Sequence, residues 1–303
     1  MYPIRYIDRK SGRIEMEKVY GERALAFLYG DDLISRLIGW PLLHVFVKTA
    51  LFSALYGSWQ KLSLSKCKIK PFIKDYHIDA SEFLESVDSF CSFNDFFIRK
   101  LKPDARPIAP GENVAIIPAD ARYYFYQDIS QTSGFIVKDK KFSIGSLLQD
   151  ENLAKKYERG SMLIARLCPT DYHRFHFPCT CLPDATKYIN GWLYSVNPIA
   201  LRKNVEIFTE NKRALTKLQS QQFGEVLYLE IGATNVGSIK QTYQPNVQQI
   251  KGAQKGYFEF GASSLIVLFE PGRIQFDQDL LDATRQDMEI RCLLGQSMGK
   301  AIA

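Results

Sequence analysis

A chain of 303 residues with 46% apolar content can fill one large core or two ordinary ones, which excludes a disordered chain. Formal net charge is +6, from 39 basic against 33 acidic residues, too diffuse for a nucleic-acid footprint without a basic stripe yet suited to anionic lipid. Six cysteines (Cys67, Cys91, Cys168, Cys179, Cys181, Cys292) show no short secreted framework, and Cys179-Thr-Cys181 lacks the gap of common zinc or redox pairs, so reduced thiols are expected.

The first ten residues have no apolar core segment and carry an acid, so no secretory signal or transit peptide is visible there and the cytoplasmic side is expected. From Arg23 to about Trp59 the apolar spacing predicts helices, with Leu33, Ile34, Leu37, Ile38, Trp40, Leu42, Leu43, Phe46, Val47, Leu51 and Phe52 on wide faces. Pro41 is expected to break or kink this run. His44 and Lys48 interrupt its longest apolar part, which falls short of a spanning helix. These helices either pack on the body or lie on a membrane, with Trp40, Tyr56 and Trp59 at headgroup depth. A basic connector follows at Lys66, Lys68, Lys70 and Lys74, which suits a solvated face or anionic headgroups.

From about Asn113 the character changes. Short β-branched and aromatic runs at Val114–Ile117, Tyr123–Tyr126, Met162–Leu167, Val226–Ile231 and Leu265–Phe269 predict strands separated by Gly, Asn and Pro. The expected fold class is α+β, with a helical region over 1–75 packed on a β-rich body over 76–303.

Only four histidines exist, and two of them, His173 and His176, fall within Asp171-Tyr172-His173-Arg174-Phe175-His176-Phe177-Pro178. On a helix they share a face; in an extended segment ending at Pro178 they oppose each other. A metal pair would need further ligands that neither cysteine nor carboxylate spacing supplies, so no metal is expected. Asp120, in Ile117-Pro118-Ala119-Asp120-Ala121, reads by itself as a turn residue. In Tyr257-Phe258-Glu259-Phe260-Gly261-Ala262-Ser263-Ser264-Leu265 two adjacent hydroxyls stand at the mouth of an apolar strand.

Together these segments resemble the phosphatidylserine decarboxylase family. Asp171–Pro178 resembles its Asp-Tyr-His-Arg-x-His-x-Pro signature, 117–121 its Pro-Ala-Asp-Gly, and 260–264 its maturation site, Phe-Gly-Gly-Ser followed by Ser or Thr. Further similar stretches are Phe93–Leu101, Arg106–Ile108, Ser195–Pro198, Asn211–Arg213, Gly232–Ile239 and Lys255–Phe258, so the resemblance spans about residue 15 to the end. Ala262 stands where the family has Gly, which removes access to positive φ, and Ala121 replaces the Gly after Asp120.

The resemblance implies a self-processing decarboxylase. Asp120 would support His176, and His176 would deprotonate Ser263, chosen over Ser264 by its place after two small residues. Cutting between Ala262 and Ser263 would give a β chain, 1–262, and an α chain, 263–303, held as a heterodimer that can itself dimerise. Ser263 would become a covalent pyruvoyl group, needing no external cofactor. That ketone would form a Schiff base with phosphatidylserine and release carbon dioxide, leaving phosphatidylethanolamine, with His173 assisting. The implied setting is peripheral, on the cytoplasmic face of the cell membrane, against anionic phospholipid and without nucleic acid. Two rivals use the same residues: a serine hydrolase with intact Ser263, and a membrane scaffold that no longer processes.

Overall fold

Valine, isoleucine and aromatic side chains fit a pleated surface buried on both sides, and the runs that carry them form the strands of the body. A computed structural model describes residues 4–136, 139–234, 239–261 and 263–302. In chain order the strands are β1 (Arg5–Asp8), β2 (Ile14–Met16), β3 (Val114–Ile116), β4 (Ala121–Tyr126), β5 (Ser161–Leu167), β6 (Arg174–His176), β7 (Leu182–Pro183), β8 (Lys187–Ile189), β9 (Arg213–Ser220), β10 (Gly224–Gly232), β11 (Ile239–Gln241), β12 (Gln254–Phe258), β13 (Ser263–Phe269), β14 (Ile274–Phe276), β15 (Glu289–Cys292) and β16 (Ser297–Ala301).

Among the described residues, ten strands make one large sheet in the order β2-β1-β15-β4-β5-β13-β10-β9-β7, with β8 also on β9. Two three-stranded sheets accompany it, β11-β12-β6 and β14-β16-β3. Strand β13 is internal to the large sheet and antiparallel to both neighbours, so that Ser263 faces Leu167 on β5 and Gly232 on β10. All five predicted strand runs appear as strands, with Ile117 alone falling just past the end of β3.

Side chains alternate across the large sheet, as period two requires. Leu265, Val267 and Phe269 join a core with Tyr123, Phe175 and Phe258, while Ile266 and Leu268 join a second core with Tyr124, Phe208, Tyr29 and Val47. By that alternation Ser263 belongs to the side covered by β11-β12-β6. Ser264 belongs to the side on which the N-terminal helices pack.

The helical region contains Glu22–Tyr29, a run from Ser35 to Val47, Ala50–Lys61 and Ile69–Asp75. Pro41 does not break it, contrary to the expectation from sequence. Trp40–Leu42 is a short α-turn set between two π-helical stretches, Ser35–Gly39 and Leu43–Val47, whose wider turns shift the hydrogen-bond ladder around the missing donor. The sharp change of direction, 81°, comes instead between Ser35–Val47 and Leu51–Lys61. There Thr49 caps the second helix by accepting from the Phe52 N–H at 3.3 Å.

The first described residues, from Ile4 on, are not helical. Strand β1 pairs in parallel with β15, Tyr6 opposite Glu289, and β2 pairs antiparallel with β1. A third cluster, almost wholly aromatic, gathers Phe72, Phe83, Phe90, Phe93, Phe96 and Phe97 around Phe260, just ahead of the two serines.

Candidate active site

The segment leading into β13 is fastened at each step. Phe258 N–H donates to the His173 carbonyl at 3.0 Å and Phe260 N–H to Asn94 Oδ1 at 2.9 Å, while Lys61 pairs with Glu259 at 2.9 Å. Phe260 packs edge-on against Phe97 and Phe93, with ring centroids 4.9 and 5.2 Å apart. Gly261 then takes φ +142°, a conformation that side chains resist. The position that demands glycine is therefore Gly261. The expectation about positive φ at Ala262 lies outside the described residues.

Ser263 and Ser264 follow, both fully buried, and neither Oγ has a hydrogen-bond partner among the described residues. A buried hydroxyl without a partner costs free energy, on the order of 1–3 kcal/mol, so two in succession mark a place where packing is not the only demand.

The two imidazoles lie on an extended stretch, His176 on β6 and His173 just before it, and their contacts diverge as an odd spacing along a strand requires. His173 donates from Nε2 to the Cys168 carbonyl at 2.8 Å and stacks on Phe97 with centroids 3.8 Å apart. His176 donates from Nδ1 to the Gly252 carbonyl at 3.0 Å, and its backbone N–H donates to Pro118. A carbonyl only accepts, so each ring's remaining nitrogen, Nδ1 of His173 and Nε2 of His176, carries the lone pair. Both of these nitrogens are buried without a partner among the described residues. Burial pushes His173 down to about 3 and His176 down to about 4, the latter against the upward pull of the Gly252 carbonyl and of Asp120. Both rings are neutral bases at ordinary pH.

Asp120 sits in the turn before β4, 3% exposed. Its carboxylate accepts from Arg106 Nε at 3.0 Å, Arg106 Nη2 at 2.7 Å and the Leu294 N–H at 2.8 Å. Among the described residues no hydrogen bond joins Asp120 to His176, or His176 to Ser263. The aspartate acts on His176 through its field, while the Gly252 carbonyl fixes the ring's tautomer. Arg106, which a sequence motif had marked without a role, turns out to be the group that holds the carboxylate.

The profile of the family described as phosphatidylserine decarboxylase matches residues 93–300. The chain is 49% identical over 297 residues to the phosphatidylserine decarboxylase proenzyme of Chlamydia pneumoniae, covering 98% of this chain and 97% of that one. It is 48% identical to the proenzyme of Chlamydia felis, covering 100% and 99%, and 46% identical to that of Chlamydia trachomatis serovar D, covering 97% and 96%. The chain belongs to the phosphatidylserine decarboxylase family. Its activity is accordingly that of a carboxy-lyase acting on phosphatidylserine, made as a proenzyme, in a family that works through a pyruvoyl group.

A decarboxylase of phosphatidylserine must admit a diacyl lipid, and a cavity of about 530 Å³ opens beside Gly261 and Phe260. Leu25, Leu28, Tyr29, Val47, Phe52 and Tyr56 of the helical region give it an apolar wall, and Thr170, Ser195, Asn197 and Thr234 a polar one. Leu167, which faces Ser263 across the ladder, also lines it. Of the charges that line it, Arg166 donates to Glu17 at 2.7 Å and also to Glu289 at 2.6 Å, while Lys18 donates to the Asp75 carbonyl at 2.9 Å. Burial alone would raise the Glu17 carboxyl, but Arg166 and Arg122 hold it at about 2. Burial pushes the Cys168 thiol well up, which makes it a poor nucleophile beside this site. Among the described residues no group of three or more His, Cys, Asp or Glu is placed to hold a metal ion.

No single helix among the described residues is long and apolar enough to cross a membrane; one bent pair, Ser35–Val47 with Leu51–Lys61, reaches that composition together.

Proposed function

We propose that His176 is the base that frees Ser263 to attack the carbonyl of Ala262, and that the resulting cut makes the chains 1–262 and 263–303. The observation that carries this reading is a pair of unsatisfied partners. Among the described residues Ser263 Oγ has a proton and no acceptor, while His176 Nε2 has a lone pair and no donor, and both are buried. A neutral, desolvated imidazole can take the hydroxyl proton, and the negative Asp120 favours the imidazolium that forms. The Oγ–carbonyl bond forms as the Ala262–Ser263 peptide bond breaks, and the proton passes to the freed amine. β-Elimination then expels the Ala262 carboxylate and leaves dehydroalanine at 263. Its tautomer loses ammonia to water, giving the pyruvoyl ketone.

Ser263 fits the origin of that group because it begins an internal strand, so the new terminus stays fixed by the β13 ladder on both sides. Once formed, the ketone supplies an electron sink for the loss of carbon dioxide. His173 is proposed to serve this second stage, holding or delivering a proton from Nδ1 beside the same junction. Its contacts support that placement: Cys168 follows the residue opposite Ser263, and Phe97 bridges the ring to Phe260.

The helical region, through residue 75, is proposed to dock peripherally on the cytoplasmic face of an anionic membrane while the body carries the chemistry. Leu33, Leu37, Val45, Leu51, Trp59 and Leu64 are 61–81% exposed, an apolar surface in need of a cover. The α and β chains are proposed to remain together as a heterodimer able to pair again.

Denaturing mass spectrometry of the wild type, Ser263→Ala and Ser264→Ala tests the reading, with carbon dioxide release from phosphatidylserine vesicles measured on each. The wild type and Ser264→Ala should be cut before residue 263, and Ser263→Ala should remain whole and inactive. An intact, active Ser263→Ala protein would refute it, and an uncut Ser264→Ala protein would move the nucleophile by one residue.

A further inference from the structure

We propose that a buried ion pair, Lys255 with Glu230, is a positioning device that sets the histidine-bearing sheet over the serine-bearing sheet for self-cleavage. The inference rests on the cut before Ser263 proposed above. The parts of that reaction stand on two different sheets: β6 and β12 of the small sheet carry His176 and the chain leading to the cut, and β13 of the large sheet carries Ser263. Between the sheets lie aromatic faces such as Phe175 against Tyr228, with centroids 6.2 Å apart. Such contacts hold area but not direction.

Lys255 supplies the direction. Its side chain is 0% exposed and its three N–H groups are all used, on Glu230 Oε1 at 2.5 Å, Gln241 Oε1 at 2.9 Å and Thr216 Oγ1 at 2.9 Å. Gln241 also donates to Glu230 Oε2 at 3.1 Å, so both carboxylate oxygens are engaged. These four residues sit on four strands, β12, β11, β10 and β9, which pins the small sheet to the large one. Glu230 lies opposite Leu265, two residues beyond Ser263, and the Lys255 ammonium lies 5.8 Å from the ring of Phe175, the neighbour of His176. None of the four hydrogen-bonds to Ser263, His176 or Asp120.

A buried ion pair is a weak source of stability, since well-packed apolar residues can replace both partners without loss, but it is demanding about geometry. That separation makes the proposal testable. In the full-length chain, Lys255→Met with Glu230→Leu replaces the pair by apolar groups. It should remain soluble with an unchanged melting temperature, yet cut itself about tenfold to a hundredfold more slowly than the wild type in a mass-spectrometric time course. Slow cutting at an unchanged melting temperature is something a merely structural pair would not show. Cutting at the wild-type rate would overturn the proposal.

Should the double variant not melt cooperatively, Glu230→Gln decides in its place, because it keeps the acceptor and removes the charge: slowed cutting supports the proposal and an unchanged rate rejects it. If neither variant melts cooperatively, the pair is a requirement of folding and the positioning role is rejected. The wild type in the same assay separates the two readings. A wild type uncut before Ser263 defeats the proposed function, whereas a wild type cut there alongside an equally fast variant defeats this inference alone.

Discussion

The helices between Leu33 and Leu64 and the strands around Ser263 break the ordinary rule of burial in opposite senses. The helices hold leucines, valine and tryptophan out to solvent, whereas the sheet buries Ser263, Ser264, His173, Lys255 and Glu230 completely. Exposed apolar surface asks for a cover, and buried polar groups ask for partners or for a reaction. One region is shaped by what it lies against, the other by what it does to itself.

Substitutions sharpen that contrast, and the largest effect belongs to the sheet. His176→Ala should slow self-cleavage by about 10²–10⁴-fold, the span usual for loss of a general base, whereas His173→Gln should cut within a few-fold of the wild type and lose decarboxylation by a comparable factor. Gel time courses with a carbon dioxide assay distinguish them. If His173→Gln fails to cut and His176→Ala cuts normally, the two roles are exchanged.

On the helical side, Leu37→Glu with Val45→Glu and Trp59→Glu should abolish sedimentation with anionic liposomes. Each lost anchor is worth about 1.5–3 kcal/mol, so three together exceed a thousandfold in affinity. The variant should still cut itself, because all three side chains are exposed and none lines the cavity beside Gly261. Point substitutions are the right instrument here. Deleting residues 1–60 would also remove β1 from the large sheet and Glu17 from its ion pairs.

Acid should act on the body through the imidazoles. Both rings are held below the ordinary value of about 6.5, His173 at about 3 and His176 at about 4, so between those values the unfolded chain binds protons that the folded chain does not. Their contribution to stability is therefore fully present above about pH 6.5 and is lost as pH falls toward about 4 for His176 and about 3 for His173. A melting-temperature series should drop across that window and should lose the His173 share of its slope, but not the His176 share, in a His173→Gln variant. Asn94→Ala gives the smallest effect: it removes the acceptor of the Phe260 N–H and should cost about 1–3 kcal/mol in a urea titration, with slower cutting.

Much of this was legible in the sequence, and what escaped did so for physical reasons. The runs at 123–126, 162–167, 226–231 and 265–269 announce themselves because strands buried on both faces are mostly apolar or aromatic, with Arg166 and Glu230 the charged exceptions, and the strands reach past each run where polar residues such as Arg122 and Ser263 are buried too. Strand β1 carries few such residues, and its register is set by β15 near the other end of the chain, which no local pattern encodes. Pro41 reads as a breaker, but π-turns on either side absorb it, and nothing local marks those. The histidine motif read in extended form places the rings on opposite sides, as found. That Arg106 would hold Asp120, that the Gly252 carbonyl would fix His176, and that positive φ would fall at Gly261 are consequences of tertiary packing.

The central claim is that Ser263 gives up its own peptide bond and its nitrogen, and the intact mass of the small chain from freshly purified wild-type protein tests it most directly. That fragment should begin at residue 263, be lighter by one ammonia than the same fragment with an N-terminal serine, and be blocked to Edman sequencing. A full-length chain that retains Ser263 and still releases carbon dioxide from phosphatidylserine would contradict it.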